Sequence, residues 1–279
     1  MIPKTIHYCW FGGNPLGPEE TRCIESWKRN CLGYEIVRWD ESNYDVTKNP
    51  YMHEAYEAGK WAFVADYARI DVVNAHGGLY FDTDVEVLRP FDEFLNCSMF
   101  AGWESRDPLL DKLGIPYENS VAFGLGYGAE CDHPVLQDLL DFYDELSFYN
   151  EDGSMNLVAC PHYQTESLKK FGLNDSARTR QSLPGGIEIY PEDYFSPKSQ
   201  LTGEIELTES TASIHHFAMS WLDEASRRES LLKWKLCRHM GYKSASALAH
   251  AAYLPERGVS KARKILGGGS AQRRSRGGE

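Results

Sequence analysis

The chain has 279 residues, 42% of them hydrophobic, and a formal net charge of −12, so it can bury one large core beneath an acidic surface. That acidic balance argues against nucleic acid as a partner. No run approaches the ~18 apolar residues of a membrane span and Met1-Ile2-Pro3-Lys4 is no apolar leader, so a soluble, cytoplasmic protein is expected.

Ile2 to Trp10 is predicted as a first strand, opened by Pro3 and broken by Phe11-Gly12-Gly13-Asn14-Pro15. Trp10 ends that strand beside two glycines. Packing is the usual fate of such a ring, and stacking on a planar base is the sharper option. Pro18 to Asn30 reads as a helix, with Pro18 and Glu19-Glu20 in its first turn and Lys28-Arg29 in its last. Tyr34 to Trp39 is a second strand, which makes a βαβ unit and hence a parallel sheet. Tyr51 to Gly59 is a short helix.

The next stretch organises the chain. From Trp61 to Ala75, the apolar positions Trp61, Val64, Ala65, Ala68 and Val72 follow helical spacing. Asp66 and Arg69 lie three apart and share a face, which by itself reads as a weak surface ion pair. Gly77-Gly78 then leads into Leu79-Tyr80-Phe81, an apolar run too short for a helix, followed by Asp82-Thr83-Asp84. Positions i and i+2 of an extended chain point the same way, so Asp82 and Asp84 converge. Two such carboxylates where a buried strand leaves the core suit Mg²⁺ or Mn²⁺, although an Asp-X-Asp triplet alone is most often a solvated turn.

Val85 to Leu88 alternates weakly, and Met99 to Trp103 is another short apolar segment. Glu104 to Glu118, with Pro108, Gly114 and Pro116, reads as a long irregular loop of the kind that carries function. Ser120 to Leu125 is expected to return to strand. Pro134 to Leu146 is an amphipathic helix, Thr165 to Phe171 a short one, and Ile187 to Tyr190 a strand. Ser213 to Phe217 is a last strand, on which His215 and His216 face opposite sides, so one of them is available as a third metal ligand. Trp221 to His239 and Ser244 to Leu254 are helices, and the Gly, Ser and Arg tail from Gly267 is expected to be disordered. Seven scattered cysteines, an odd number with no Cys-X-X-Cys pair, point to reduced thiols.

Taken together, Ile6-His7-Tyr8-Cys9-Trp10-Phe11-Gly12-Gly13, the Asp66…Arg69…Gly77-Gly78-X-Tyr80-X-Asp82-X-Asp84 block and His215-His216…Ser220-Trp221 resemble the DXD-containing sugar transferases, family 32 of the glycosyltransferases. They are similar, more distantly, to the glucosylating domain of large bacterial toxins. The resemblance covers roughly residues 2 to 222, and the central block is its specific part.

The resemblance implies a GT-A fold, an α/β architecture with a mostly parallel central sheet flanked by helices. Residues 1–221 would be the catalytic domain, 222–266 a helical extension packed on it, and 267–279 the tail. It also implies retaining transfer of a sugar from a UDP- or GDP-linked donor to a glycan or lipid-linked acceptor, as in capsular or other surface polysaccharide synthesis. Trp10, Asp66, Arg69, Tyr80, Ser220 and Trp221 would contact the donor. Asp82, Asp84 and Asn119 would lie at the reacting sugar, and Asp82, Asp84 and either His215 or His216 would hold Mn²⁺ or Mg²⁺. The alternatives are a metal-dependent nucleotidyltransferase, which usually carries a basic glycine loop where this chain has Trp10-Phe11-Gly12-Gly13-Asn14, and a non-enzymatic carbohydrate-binding protein. The basic residues Lys261, Arg263, Lys264, Arg273, Arg274 and Arg276 suggest weak peripheral contact with the inner face of a membrane.

Overall fold

The computed structural model describes residues 1–114, 117–220 and 222–254. Its elements in chain order are β1 (Thr5–Cys9), α1 (Pro18–Asn30), β2 (Glu35–Trp39), α2 (Pro50–Glu57), α3 (Trp61–His76), β3 (Gly78–Tyr80), β4 (Val85–Val87), β5 (Met99–Gly102) and α4 (Leu109–Leu113). There follow β6 (Tyr127–Ala129), α5 (Pro134–Asp144), α6 (Cys160–Lys170), β7 (Gln181–Leu183), β8 (Ile187–Tyr190), α7 (Glu192–Phe195), β9 (Ser213–His215) and α8 (Glu224–Met240). The chain divides into two compact units, one of residues 1–200 and 205–221, the other of 201–204 with the residues from 222 on.

The first unit is built on a seven-stranded sheet of order β2-β1-β3-β6-β5-β8-β7. Strands β1, β2, β3, β5 and β8 run in one direction and β6 and β7 in the other. This is the expected α/β architecture of mostly co-directional strands flanked by helices. Alternation along β1 divides its side chains between two layers. Tyr8 meets Trp27 of α1, ring centroids 5.6 Å apart. Cys9 joins the core formed with Val64 and Ala68 of α3. Helix α1 starts at Pro18 with Glu19 and Glu20 in its first turn and ends on Lys28 and Arg29, as its charges predict. The Trp27 indole N–H donates to the Val85 carbonyl at 2.7 Å, tying α1 to β4.

Helix α3 is buried over most of its surface, including Asp66, Arg69, Asp71 and Asn74. The Asp66–Arg69 pair is therefore an interior pair, not a surface one. At the helix end, Gly78 adopts φ +111°, and a Cβ on it would lie 2.6 Å from the Thr5 carbonyl. Only glycine lets β3 lie this close against β1.

Three sequence expectations need correction. The short helix expected over Thr165 to Phe171 is α6, which already starts at Cys160. The 104–118 loop contains the short helix α4. Ser120 to Leu125 is not a strand: Phe123–Leu125 is a 3₁₀ turn, and the strand is the following Tyr127–Ala129. Gly126 and Gly128 hid that strand, because they are poor strand formers that survive here by close packing. A Cβ on Gly128 would meet the Phe100 ring at 2.7 Å.

In the second unit, α8 is capped by Asp223, whose carboxylate accepts the Ser226 N–H at 3.0 Å. Residues 242–254 are helical. Gly203 sits against the Trp234 ring with φ +73°, where a Cβ would be 2.8 Å from Cγ. No described helix is long and apolar enough to cross a membrane. The basic residues from Lys261 on and the predicted tail lie outside the described residues.

Candidate active site

In a sheet of this kind the carboxyl ends of the co-directional strands share one edge, which is where open α/β sheets bind ligands. Trp10 follows β1 at that edge, Asp82 follows β3 and Glu104 follows β5. The antiparallel β6 begins there, so the 3₁₀ turn ahead of it also reaches the edge.

Asp82 and Asp84 do converge, but through a turn and not through an extended strand. Strand β3 ends at Tyr80, and the Val85 N–H closes back on the Asp82 carbonyl at 3.0 Å. The paired strands β4 and β9 bring Val85 opposite His215. His215 Nε2 consequently lies 3.2 Å from Asp84 Oδ1 and 3.8 Å from Asp82 Oδ2. One ligand atom from each of the three residues falls within 4.8 Å of the others. The Ala218 N–H donates to Asp84 Oδ2 at 2.7 Å, and the His216 N–H to the Asp84 carbonyl at 3.0 Å.

The electrostatics follow from this crowding. Burial would raise the Asp84 carboxyl, but the His215 imidazole beside it holds it well below the usual carboxylate range. Burial would likewise lower His215, but Asp84 and Asp82 push it up to about 10. Among the described residues, His215 Nδ1 is buried with no hydrogen-bond partner. Two hard carboxylates and an imidazole at this spacing fit a divalent cation of the Mg²⁺ or Mn²⁺ kind, whose charge would take the place of the imidazole proton.

Arg69 connects this cluster to α3. Its Nη2 lies 2.9 Å from Asp66 Oδ1 and 3.3 Å from Asp82 Oδ1, and its guanidinium covers the Tyr80 ring at 5.1 Å. Burial raises the Asp66 carboxyl, opposed by Arg69. Gly124 approaches from the 3₁₀ turn, its carbonyl accepting the Asp82 N–H at 3.2 Å. A Cβ on Gly124 would occupy the space of the Asp82 carboxylate and lie 3.0 Å from Arg69 Nη1.

The remaining expected site residues divide. Trp10 is half-buried and donates its indole N–H to the Asn14 carbonyl at 2.7 Å. Tyr80 is 1% exposed beside Cys9, so its ring is a core side chain with no face open to a donor. His216 points away from the carboxylates, its Nε2 2.8 Å from Glu86 Oε2. The β4–β9 pairing sets His215, the last residue of β9, on the Asp pair, and His216 just beyond the strand turns to Glu86. Asn119 is held on the 175–178 segment: its Nδ2 donates to the Asp175 carbonyl at 2.9 Å, and its Oδ1 accepts from Arg178 Nη1 at 3.2 Å. Arg178 also bonds the Glu104 carbonyl and Glu192. Ser220 is exposed, and Trp221 lies outside the described residues.

Sequence reasoning missed Gly124, Glu86 and Trp61. The Trp61 ring lies against Gly12, where a Cβ would meet Cε2 at 2.5 Å, next to the end of β1. Its position as the first residue of the helix carrying Asp66 and Arg69 was the available signal. Glu86 and Gly124 carry none, because each depends on contacts distant in the chain.

A profile of the glycosyltransferase sugar-binding region containing a DXD motif matches residues 17–101. The chain is 33% identical over 206 residues to an uncharacterized glycosyltransferase of Acanthamoeba polyphaga mimivirus, covering 71% of this chain and 74% of that protein. It is 21% identical over 220 residues to the subversion of eukaryotic traffic protein A of Legionella pneumophila, covering 63% of this chain and 33% of that protein. Among solved structures, the PaToxG glycosyltransferase superimposes with a TM-score of 0.44 at 16% identity, covering 61% of this chain and 69% of that one.

Proposed function

The chain belongs to the glycosyltransferases whose sugar-binding region contains a DXD motif, and on that premise we propose that it transfers a sugar from a UDP- or GDP-linked donor to a glycan or lipid-linked acceptor, with retention at the anomeric carbon. The observation that carries this reading is the convergence of Asp82, Asp84 and His215 at the carboxyl edge of the sheet.

In this reading Asp84 and His215 hold Mn²⁺ or Mg²⁺, with Asp82 between them and Arg69. The cation, when bound, supplies Lewis-acid neutralisation of the charge developing on the leaving diphosphate. The chain's own groups do the rest. Before the cation binds, Asp84 is kept ionised by its imidazole neighbour and by the Ala218 N–H. Arg69 fixes the Asp82 carboxylate, which faces the oxocarbenium-like sugar and favours its positive charge. Asp66, anchored on the same guanidinium, orients donor hydroxyls. Trp10, with Trp61 nearby as a second ring, forms the base-binding side. Asn119, with its amide held by Asp175 and Arg178, is assigned to the transferred sugar. With no nucleophile assigned among these groups, the acceptor hydroxyl attacks from the leaving-group side and gives its proton to the departing phosphate.

Residues 1–221 are proposed as the catalytic domain and 222–266 as a C-terminal helical extension, with surface polysaccharide synthesis in the cytoplasm, or at the inner face of the membrane, as the setting. The test is sugar release from a panel of UDP- and GDP-sugars with Mn²⁺. Release from one donor class supports the reading. Nucleotide binding with no release from any donor contradicts it, and sugar binding with no nucleotide binding favours the carbohydrate-binding alternative.

A further inference from the structure

Behind the carboxylate cluster, on the reverse side of β9, lies a second charged group that touches none of the three candidate ligands' side chains. Glu86 Oε2 accepts from Arg22 Nη1 at 2.8 Å and lies 2.8 Å from His216 Nε2. Arg22 Nη2 is 3.4 Å from the same imidazole nitrogen, and the Lys198 ammonium donates to the His216 carbonyl at 2.5 Å. The last residue of β9 and the one that follows it thus lock in opposite directions: His215 on Asp84, His216 on Glu86.

Beyond His216 the backbone is strained. Phe217 and Met219 both adopt φ 53°, a region that bulky side chains rarely enter. Between them Ala218 gives its N–H to Asp84. A segment in this conformation persists only where its surroundings over-determine it. The contacts on this segment are the Asp84 carbonyl and carboxylate on one side, Glu86 on the His216 ring on the other, and the Lys198 ammonium on the His216 carbonyl.

We propose that Glu86 and Arg22 form a clamp on His216 that positions His215 and the Ala218 N–H on Asp84, so that the cation site is formed before cation or nucleotide arrives. Glu86 is a positioning residue in this scheme, acting only through the 215–218 segment. The proposal rests on the cation-site reading given above. Outer partners that orient metal ligands commonly control affinity by roughly 10–100-fold.

The experiment is a Mn²⁺ titration of the full chain without nucleotide, followed by electron paramagnetic resonance of the free ion. Circular dichroism and a thermal melt are run on each variant. Glu86→Ala is expected to bind Mn²⁺ roughly 10–100-fold more weakly than the unmodified chain, and Glu86→Gln, which keeps an acceptor oxygen, to recover part of that loss. Should Glu86→Ala fail to fold, Arg22→Ala is read in the same titration, with a smaller loss expected. A folded Glu86→Ala, or failing it a folded Arg22→Ala, that binds Mn²⁺ as tightly as the unmodified chain overturns the clamp. An unmodified chain that binds no Mn²⁺ overturns the cation-site reading instead, and the clamp with it.

Discussion

Arg69 reaches from the middle of a helix to the carboxylate of Asp82, with Nη2 3.3 Å from Oδ1. A guanidinium with only 6% of its side chain exposed has left water to make that contact and the one to Asp66. Removing one member of such a buried set leaves charges uncompensated and typically costs about 3–5 kcal/mol. Arg69→Ala should therefore unfold in urea at a clearly lower midpoint, and Arg69→Lys should recover only part of the loss, since an ammonium cannot reproduce the fork. A midpoint equal to that of the unmodified chain would show that the pair is not a structural element of the site.

Gly124 should be intolerant of the smallest side chain. An added Cβ displaces the Asp82 carboxylate instead of opening a cavity. Misplacing a reacting group by about 1 Å costs on the order of 100-fold in rate. Gly124→Ala is expected to lose donor turnover by that order while melting close to the unmodified chain. Full turnover in this variant would remove Asp82 from the reacting centre.

The stability of the chain should fall as pH drops below neutrality, and His7 should be one reason. Trp39 Nε1–H donates to His7 Nδ1 at 3.1 Å, and His7 Nε2 lies 2.9 Å from the Gly77 carbonyl, so the neutral Nε2–H tautomer satisfies both contacts. Burial lowers the imidazole from 6.5 to about 4, with nearby His76 acting in the same direction. The sign is that of a base that must lose its proton to be buried. Stability is complete above pH 6.5 and declines towards pH 4, at up to about 1.4 kcal/mol per pH unit. Urea unfolding of the unmodified chain and of His7→Leu between pH 7.5 and 4.5 isolates this slope. Parallel pH profiles for the two would contradict the assignment.

Trp10 separates packing from stacking. If its ring carries the nucleobase, Trp10→Ala weakens nucleotide binding by about 1–3 kcal/mol and Trp10→Phe by less. Calorimetric titration with UDP and GDP reads the difference. Loss of folding in Trp10→Ala, together with normal binding in Trp10→Phe, would make the residue a packing side chain.

Local signals carried much of the architecture. Pro18, the acidic first turn and the basic last turn define a helix without help from the rest of the chain, and the structure gives the same bounds. The carboxylate cluster was legible because Asp82, Asp84 and a histidine on a short strand are chemically distinctive. The geometry inferred for it was incomplete, since a turn and a two-stranded ladder make the convergence. Signals failed where a residue's role depends on a neighbour far along the chain. Asp66 and Arg69 read as a surface pair because nothing local reveals that α3 is buried on nearly every side. Strand β7 is a short edge strand whose Gln181 and Ser182 carry no apolar pattern. Tyr80 matched a motif, and the structure closes it into the core.

The most direct measurement of the central claim is Mn²⁺-dependent release of sugar from the preferred nucleotide-sugar donor by Asp84→Ala beside the unmodified chain, with circular dichroism on both. Asp84 is buried against His215 and the Ala218 N–H. Its loss should remove metal-dependent turnover while the fold survives, and donor release should become insensitive to Mn²⁺. A folded Asp84→Ala that turns over the donor at the full rate, still stimulated by Mn²⁺, would contradict the assignment of this cluster as the cation site of a sugar transferase.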